Sequence, residues 1–242
     1  MELRRARNSV LSVNNNFKLE PKRIRIISVA GATSRAGKTL LAEQIIQYLS
    51  GHKIPVYAVK FTTTSDLPSP CPRGAPCTVC DLSDRFRIVR DPSILMQPGK
   101  NTQRLAAAGA TEVVWIIARK SSLAEAYKHL LEHLPNDAIT VMEGSTITTI
   151  CKPDLVFYVA ANHIPPAKWK DNAKEILNSA DFIILNKKKG TIDHPQIPIP
   201  KSAISLNLRE TSVTEIGKVR SELDRLTGSE KKLHTSIKKE LC

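Results

Sequence analysis

The sequence predicts an α/β fold three layers deep, with helices covering both faces of a mostly parallel sheet. Three observations carry this expectation. Short, β-branched apolar runs recur at 24–30, 55–61, 113–118, 138–142, 155–160 and 182–185, and amphipathic stretches at helical spacing separate several of them. The first run leads into a glycine-containing loop that ends Gly37-Lys38-Thr39, directly before one of those amphipathic stretches. Acidic and hydroxyl residues gather just past the ends of other runs, where a parallel sheet presents ligand contacts.

The first unit is the most informative. Ile24 to Ala30 reads as a buried central strand, and Leu41, Ile45, Tyr48 and Leu49 share a helix face that should stop at Gly51. Strand, loop, Gly-Lys-Thr and helix form the context of a phosphate-binding P-loop. In it backbone amides and the positive end of the helix dipole wrap a polyphosphate, while the lysine reaches its outer phosphates. Ala32, Thr33, Ser34, Arg35, Ala36 and Gly37 would supply the cradle, Lys38 the catalytic charge and Thr39 a hydroxyl for Mg²⁺. Gly31 stands six positions before Gly37 where the glycine-first pattern needs five, so Ala32 fills the first position, which is tolerable with a negative φ. The bland alternative is a chance Gly-Lys-Thr in a βα turn.

Length and charge narrow the class. A chain of 242 residues with 41% hydrophobic content can bury one large core. We expect one domain over 22–228, a flexible basic arm over 1–21 and a basic tail over 229–242. No apolar run approaches the ~18 residues of a membrane span, and the N-terminus lacks the apolar stretch of a signal peptide. A cytoplasmic protein without a membrane partner is expected. The net charge of +13 favours anionic partners, whether nucleotides, acidic proteins or nucleic acid, although much of the excess lies in the two ends.

Along the chain, the 55–61 run ends in Thr62-Thr63-Thr64-Ser65-Asp66. Lys60, the threonines and Asp66 are candidates for phosphate or Mg²⁺ contacts, against ordinary loop capping. An insertion at about 66–98 follows, containing Cys71, Cys77 and Cys80 in a Pro- and Gly-rich stretch. Cys77 and Cys80 have the spacing with which two thiolates reach one ion, and Cys71 could close from the other side. Zinc or an iron–sulfur cluster is the first expectation, with Asp81, Cys151 or a second subunit completing the set. A redox-active thiol pair and unligated cysteines remain alternatives.

Residues 102–108 read as a helix, and Ser122 with Glu125 as a capping box opening another. Within the latter, His129-Leu130-Leu131-Glu132-His133 matches a zinc-hydrolase pattern, but two surface histidines flanking a glutamate explain it better. Glu143 closes the 138–142 run as a carboxylate that could order Mg²⁺ or its water, or else cap the Gly144 turn. Lys168 to Asn178 reads as a helix containing Trp169. Asn186-Lys187 resembles the base-reading element of GTP-binding proteins, with Lys189 where an aspartate would pair with guanine, which leaves ATP and GTP both open. Pro200 to Leu208 forms a further short segment, and Ser212 with Glu215 would cap a last helix carrying Val213, Ile216, Val219, Leu223 and Leu226.

Taken together, the loop, Val59-Lys60-x-Thr62, Gly99-Lys100-x-Thr102-x-Arg104 leading to Ala108-Gly109-Ala110, and Glu143-Gly144 resemble the MobB family of molybdopterin-guanine dinucleotide biosynthesis proteins. The resemblance spans about residues 24–160. It implies GTP and Mg²⁺ binding, a homodimer and a role in guanylylation of the molybdenum cofactor, with Gly37, Lys38, Thr39, Lys60 and Glu143 lining one pocket. Phe61 and the threonines stand where that family has histidines, Asn101 where it has an aspartate, and the cysteine insertion is not typical of it. A relative with a different cargo is therefore expected.

The leading expectation is a Mg²⁺-dependent, slow NTPase that assists a cofactor-assembly protein. An ATP-dependent small-molecule kinase or ligase is the alternative. A basic cysteine-knuckle nucleic-acid-binding protein ranks lower, because 5% aromatics leave few stacking surfaces.

Overall fold

The structure is a computed structural model that describes residues 24–64, 66, 84–136, 138–194 and 197–228. The expected N-terminal arm, the C-terminal tail and Cys71, Cys77, Cys80 and Asp81 lie outside the described residues. The elements run β1 (Arg25–Gly31), α1 (Lys38–Gly51), β2 (Val56–Thr64), β3 (Phe86–Val89), α2 (Pro92–Leu95), α3 (Asn101–Ala107), β4 (Glu112–Arg119) and α4 (Leu123–Leu131). They continue with β5 (Ile139–Glu143), β6 (Leu155–Ala161), α5 (Ala173–Ser179), β7 (Phe182–Asn186), β8 (Ile204–Leu206) and α6 (Gly217–Thr227). None of these helices is long and apolar enough to cross a membrane.

The strands form one sheet in the order β3-β4-β2-β5-β1-β6-β7-β8. Every pairing is parallel except β3 with β4. Strand alternation sends Ile27 and Val29 to one face, against Leu41, Ile45 and Leu49 of α1, Leu105 of α3 and Val219 and Leu223 of α6. The opposite face packs Ile26, Val59 and Val114 on Leu123, Ala126 and Leu130 of α4. Further along that face, Ala30 and Tyr158 meet Ala173 and Ile176 of α5. Both faces are thus covered, which is why the inner strands read as unbroken apolar runs rather than alternating ones. The expected three-layer α/β arrangement around a mostly parallel sheet is the fold observed.

Several local expectations need correction. The threonines after Phe61 belong to β2, which continues through Thr64 in register with Arg119. Tertiary partners replace water for them: the Trp115 indole donates to Thr62 Oγ1 at 2.9 Å, and Thr64 Oγ1 donates to the Ala118 carbonyl at 3.4 Å. Within the expected insertion, the described part after residue 84 holds the edge strand β3 and the short α2, opened by Asp91 accepting from the Ser93 amide.

The Ser122–Glu125 capping box does not form. A 3-10 turn over Lys120–Ser122 precedes α4, the Ser122 hydroxyl is buried without a partner, and Glu125 pairs with Arg85 at 3.2 Å. Ser212 caps only a 3-10 turn, Val213–Glu215, and the helix proper starts at Gly217. The expected 168–178 helix begins at Ala173, because Trp169 is extended and the Lys170 amide donates to the Ala32 carbonyl at 2.9 Å.

Candidate functional site

Residues 32–37 link the carboxyl end of β1 to the first turn of α1. Gly37 is the N-cap, at φ 118°, and has no side chain to occupy the opening amides of the helix. Those amides and the helix dipole are therefore left to an anion. Arg35 at the loop's exposed apex takes the left-handed conformation, φ 64°, whereas Ala32 does not have a positive φ, as a first position occupied by alanine requires.

Gly31 has a separate reason to be glycine. A Cβ there would stand 2.7 Å from the Val159 carbonyl oxygen and 2.9 Å from Lys38 Cγ, so its absence lets the lysine stem cross the end of β1. The Lys38 ammonium then donates to the Thr33 carbonyl at 2.5 Å. Asn186, at the tip of β7, clasps the loop from behind: its amide nitrogen donates to the Ala36 carbonyl at 3.0 Å and its oxygen accepts from the Leu208 amide at 3.2 Å. Lys187 instead pairs with Asp193.

On the other side the sheet order places β5 between β1 and β2, so that Glu143 lies beside both Val29 and Lys60. Lys60 donates to Glu143 Oε1 at 2.7 Å, and that carboxylate is only 1% exposed. Its Oε2 is buried with no partner, as is the hydroxyl of Thr33. Gly144 allows the turn beyond β5 to press on β2, since a Cβ would meet Phe61 at 2.8 Å.

Ser145 follows, and its hydroxyl donates to the Gly31 carbonyl at 2.9 Å while accepting from Lys170 Nζ at 3.3 Å. Neither Ser145 nor Lys170 was singled out in the sequence. A hydroxyl two residues past a strand-end acid was a faint signal, and nothing local marked Lys170 in a segment that reads as helix.

Lys60 is ion-paired with Glu143, while Lys38 and Lys170, bonded to the Thr33 carbonyl and the Ser145 hydroxyl, feel the charge of that carboxylate and of one another. Burial lowers the Lys38 pKa to about 7; Lys170 pushes the same way, Glu143 opposes, and Lys60 adds a smaller depression. Lys170 keeps an exposed surface, yet the protein crowding its ammonium also lowers its pKa, with Lys60 contributing and Glu143 opposing. Positive charge gathered at a helix N-terminus favours an anion.

For Mg²⁺ the hard oxygen donors present are the unpartnered Glu143 Oε2 and the hydroxyl of Thr39 in the first turn of α1, a donor set that fits this ion. Thr63 Oγ1 meets Thr146 Oγ1 at 2.5 Å, and Asp66 accepts from the Ser121 amide and hydroxyl at 3.0 and 2.7 Å, so both are already engaged.

Among the described residues no group of three metal-ligating side chains is assembled. His133 Nδ1 lies 2.8 Å from the His129 carbonyl, and the His129 ring packs on Phe86, which keeps the His-x-x-Glu-His segment a surface feature. Cys151 is a free, half-buried thiol on Tyr127.

No family model matches the chain, and no curated protein does. Among solved structures it is similar to LpxK from Aquifex aeolicus, determined in complex with ATP, at 10% identity and a TM-score of 0.40. The match covers 75% of this chain and 53% of that one, so the chain spans about half of the other protein's length.

Proposed function

We propose that the chain is a Mg²⁺-dependent protein that binds and slowly hydrolyses a nucleoside triphosphate at the 32–39 loop. The observation that carries this reading is a loop whose opening helix amides lack a side-chain cap, with buried Lys38 bent onto the Thr33 carbonyl and the Lys60–Glu143 ion pair at the end of the neighbouring strands. The loop amides would bind the β-phosphate, and Lys38 would exchange the Thr33 carbonyl for the outer phosphates. Lys60 and Lys170 would offset charge that builds on the terminal phosphate, and Glu143 would hold the attacking water. Thr39 and Glu143 would hold Mg²⁺, which when bound would supply Lewis-acid charge to the polyphosphate.

Calorimetry tests the binding. Wild type should bind Mg·ATP or Mg·GTP, and Lys38→Ala should weaken that by about a hundredfold or more, equivalent to about 2.7 kcal/mol. Equal, negligible heats for both proteins would end the reading.

At the finer level we favour an accessory role in metal or molybdenum-cofactor assembly, acting as a homodimer on an assembly protein. The MobB-like motif order and the Cys71, Cys77 and Cys80 spacing support it. Elemental analysis and nucleotide identification on anaerobically purified protein should find zinc or iron with bound nucleotide; metal-free, nucleotide-free protein counts against it. A second reading, an ATP-dependent small-molecule kinase or ligase, is favoured by a cleft of about 440 Å³ that shares Thr33 and Ser34 with the loop. Nucleotide consumption proportional to one added metabolite would select it.

A further inference from the structure

The cleft beside the phosphate loop has its other wall in the segment from His163 to Lys170, which connects β6 to α5. That wall is built rather than loose. Pro165 and Pro166 fix two successive φ angles. The Lys168 amide donates to the Pro165 carbonyl at 3.0 Å and the Trp169 amide to the Pro166 carbonyl at 2.9 Å. The Trp169 indole donates to the Ile164 carbonyl at 3.4 Å and its ring lies against Tyr158. The Lys170 amide finally ties the segment to the loop through the Ala32 carbonyl.

The chemistry of the lining is one-sided. Lys168, Lys170 and His163 bring positive or protonatable nitrogen, Thr33 and Ser34 bring hydroxyls, and Ile164 and Pro165 make an apolar floor. Among the described residues no carboxylate lines the cleft. His163 Nδ1 lies 3.3 Å from Asn162 Oδ1, which leaves Nε2 as the ring nitrogen open to a ligand; it donates to an oxyanion when it carries a proton, the form that such a ligand stabilises. The volume falls in the range of small-molecule sites.

We propose that this cleft binds a second ligand, a small metabolite with an oxyanion head, carboxylate or phosphate ester, and a short apolar body. Lys168 and His163 hold the head, and Ile164 and Pro165 take the body. The proposal rests on the nucleotide reading only for what lies next door, the terminal phosphate at Thr33 and Ser34; occupancy of the cleft stands by itself.

Calorimetric titration of the full chain with two probes, isovalerate and isobutyl phosphate, tests it on wild type, Lys38→Ala and the double variant His163→Gln/Lys168→Gln. At least one probe should saturate wild type and Lys38→Ala alike, and the double variant should bind it about tenfold or more weakly while binding Mg·ATP as wild type does. The probe that binds names the head group. Circular dichroism checks the fold of the double variant, and Lys168→Gln alone should show the same direction of change. Failure of both probes to saturate wild type at millimolar concentration overturns the proposal. So does binding that survives in the double variant or is lost in Lys38→Ala, since the loop would then be the probe's site. Failure of the nucleotide reading looks different: wild type would ignore Mg·ATP and still bind a probe.

Discussion

Lys38 must be charged to serve a polyphosphate, yet its surroundings resist that charge. With an unliganded pKa of about 7, the ammonium is mostly deprotonated above neutrality. A bound polyanion favours the charged form, so the pKa in the complex is higher and binding above pH 7 takes up a proton. Affinity for Mg·nucleotide should then fall by up to about tenfold per pH unit between about pH 7.5 and about pH 9. Calorimetry at pH near 8 in buffers of different ionisation enthalpy should report uptake approaching one proton; affinity flat with pH and heats independent of buffer would reject a depressed Lys38 pKa. Gly31 acts on the same side chain. Gly31→Ala sets a methyl 2.7 Å from a backbone oxygen that cannot swing aside and 2.9 Å from Lys38 Cγ. The substitution should lower stability by roughly 1–3 kcal/mol in urea unfolding and weaken nucleotide binding in parallel. A variant with wild-type midpoint and affinity would show that the lysine stem does not depend on that gap.

Among the elements, β7 does more than extend the sheet, because Asn186 at its tip joins the loop carbonyl of Ala36 to the amide of Leu208. Asn186→Ala leaves both groups unpaired and should lower stability by about 1–3 kcal/mol, with a larger proportional loss in nucleotide affinity than a surface substitution of equal stability effect would give. Wild-type binding in a destabilised variant would confine Asn186 to sheet architecture. The sequence marks Asn186 as a residue of the site through its likeness to a base-reading element, and its hydrogen bonds to Ala36 and Leu208 add a role that likeness does not contain. Its clasp on the loop arises from β7 lying two strands from β1, which no local pattern encodes. The same distinction runs through the molecule. β1, its loop and α1 were legible because all their determinants lie within about one helix of each other, and the inner parallel strands because both of their faces are apolar. The end of β2 was not, since Trp115 and Ala118 from β4 satisfy Thr62 and Thr64. The edge strand β3 has four residues and pairs antiparallel with a strand that follows α3, leaving almost no periodicity to read. Glu143 was legible as a strand-end acid, but its ion pair with Lys60 required the sheet order. Lys170 was hidden by helical propensity that a backbone bond to Ala32 overrides.

Across the whole molecule, β1 stands where the sheet's connections change direction, with β5, β2, β4 and β3 to one side and β6, β7 and β8 to the other. The candidate site draws on both halves: Lys60 and Glu143 from the first, Lys170 and Asn186 from the second, with the loop and α1 between them. A polyphosphate on the loop would therefore touch groups held by both halves and relieve the repulsion among three lysines that the fold otherwise carries. Any ligand bound only by the native state stabilises it by mass action, about 2.7 kcal/mol at a free concentration near a hundred times the dissociation constant. For a domain of this size that corresponds to a rise in Tm of roughly 5–10 °C. Thermal melts with Mg·nucleotide should show this rise for wild type and a rise of about 1 °C or less for Lys38→Ala. Asn186→Ala should start lower and still rise, because its loop is loosened but its lysines remain. If wild type and Lys38→Ala shift equally, the added anion is screening the basic surface at large, and the three lysines do not constitute a specific site.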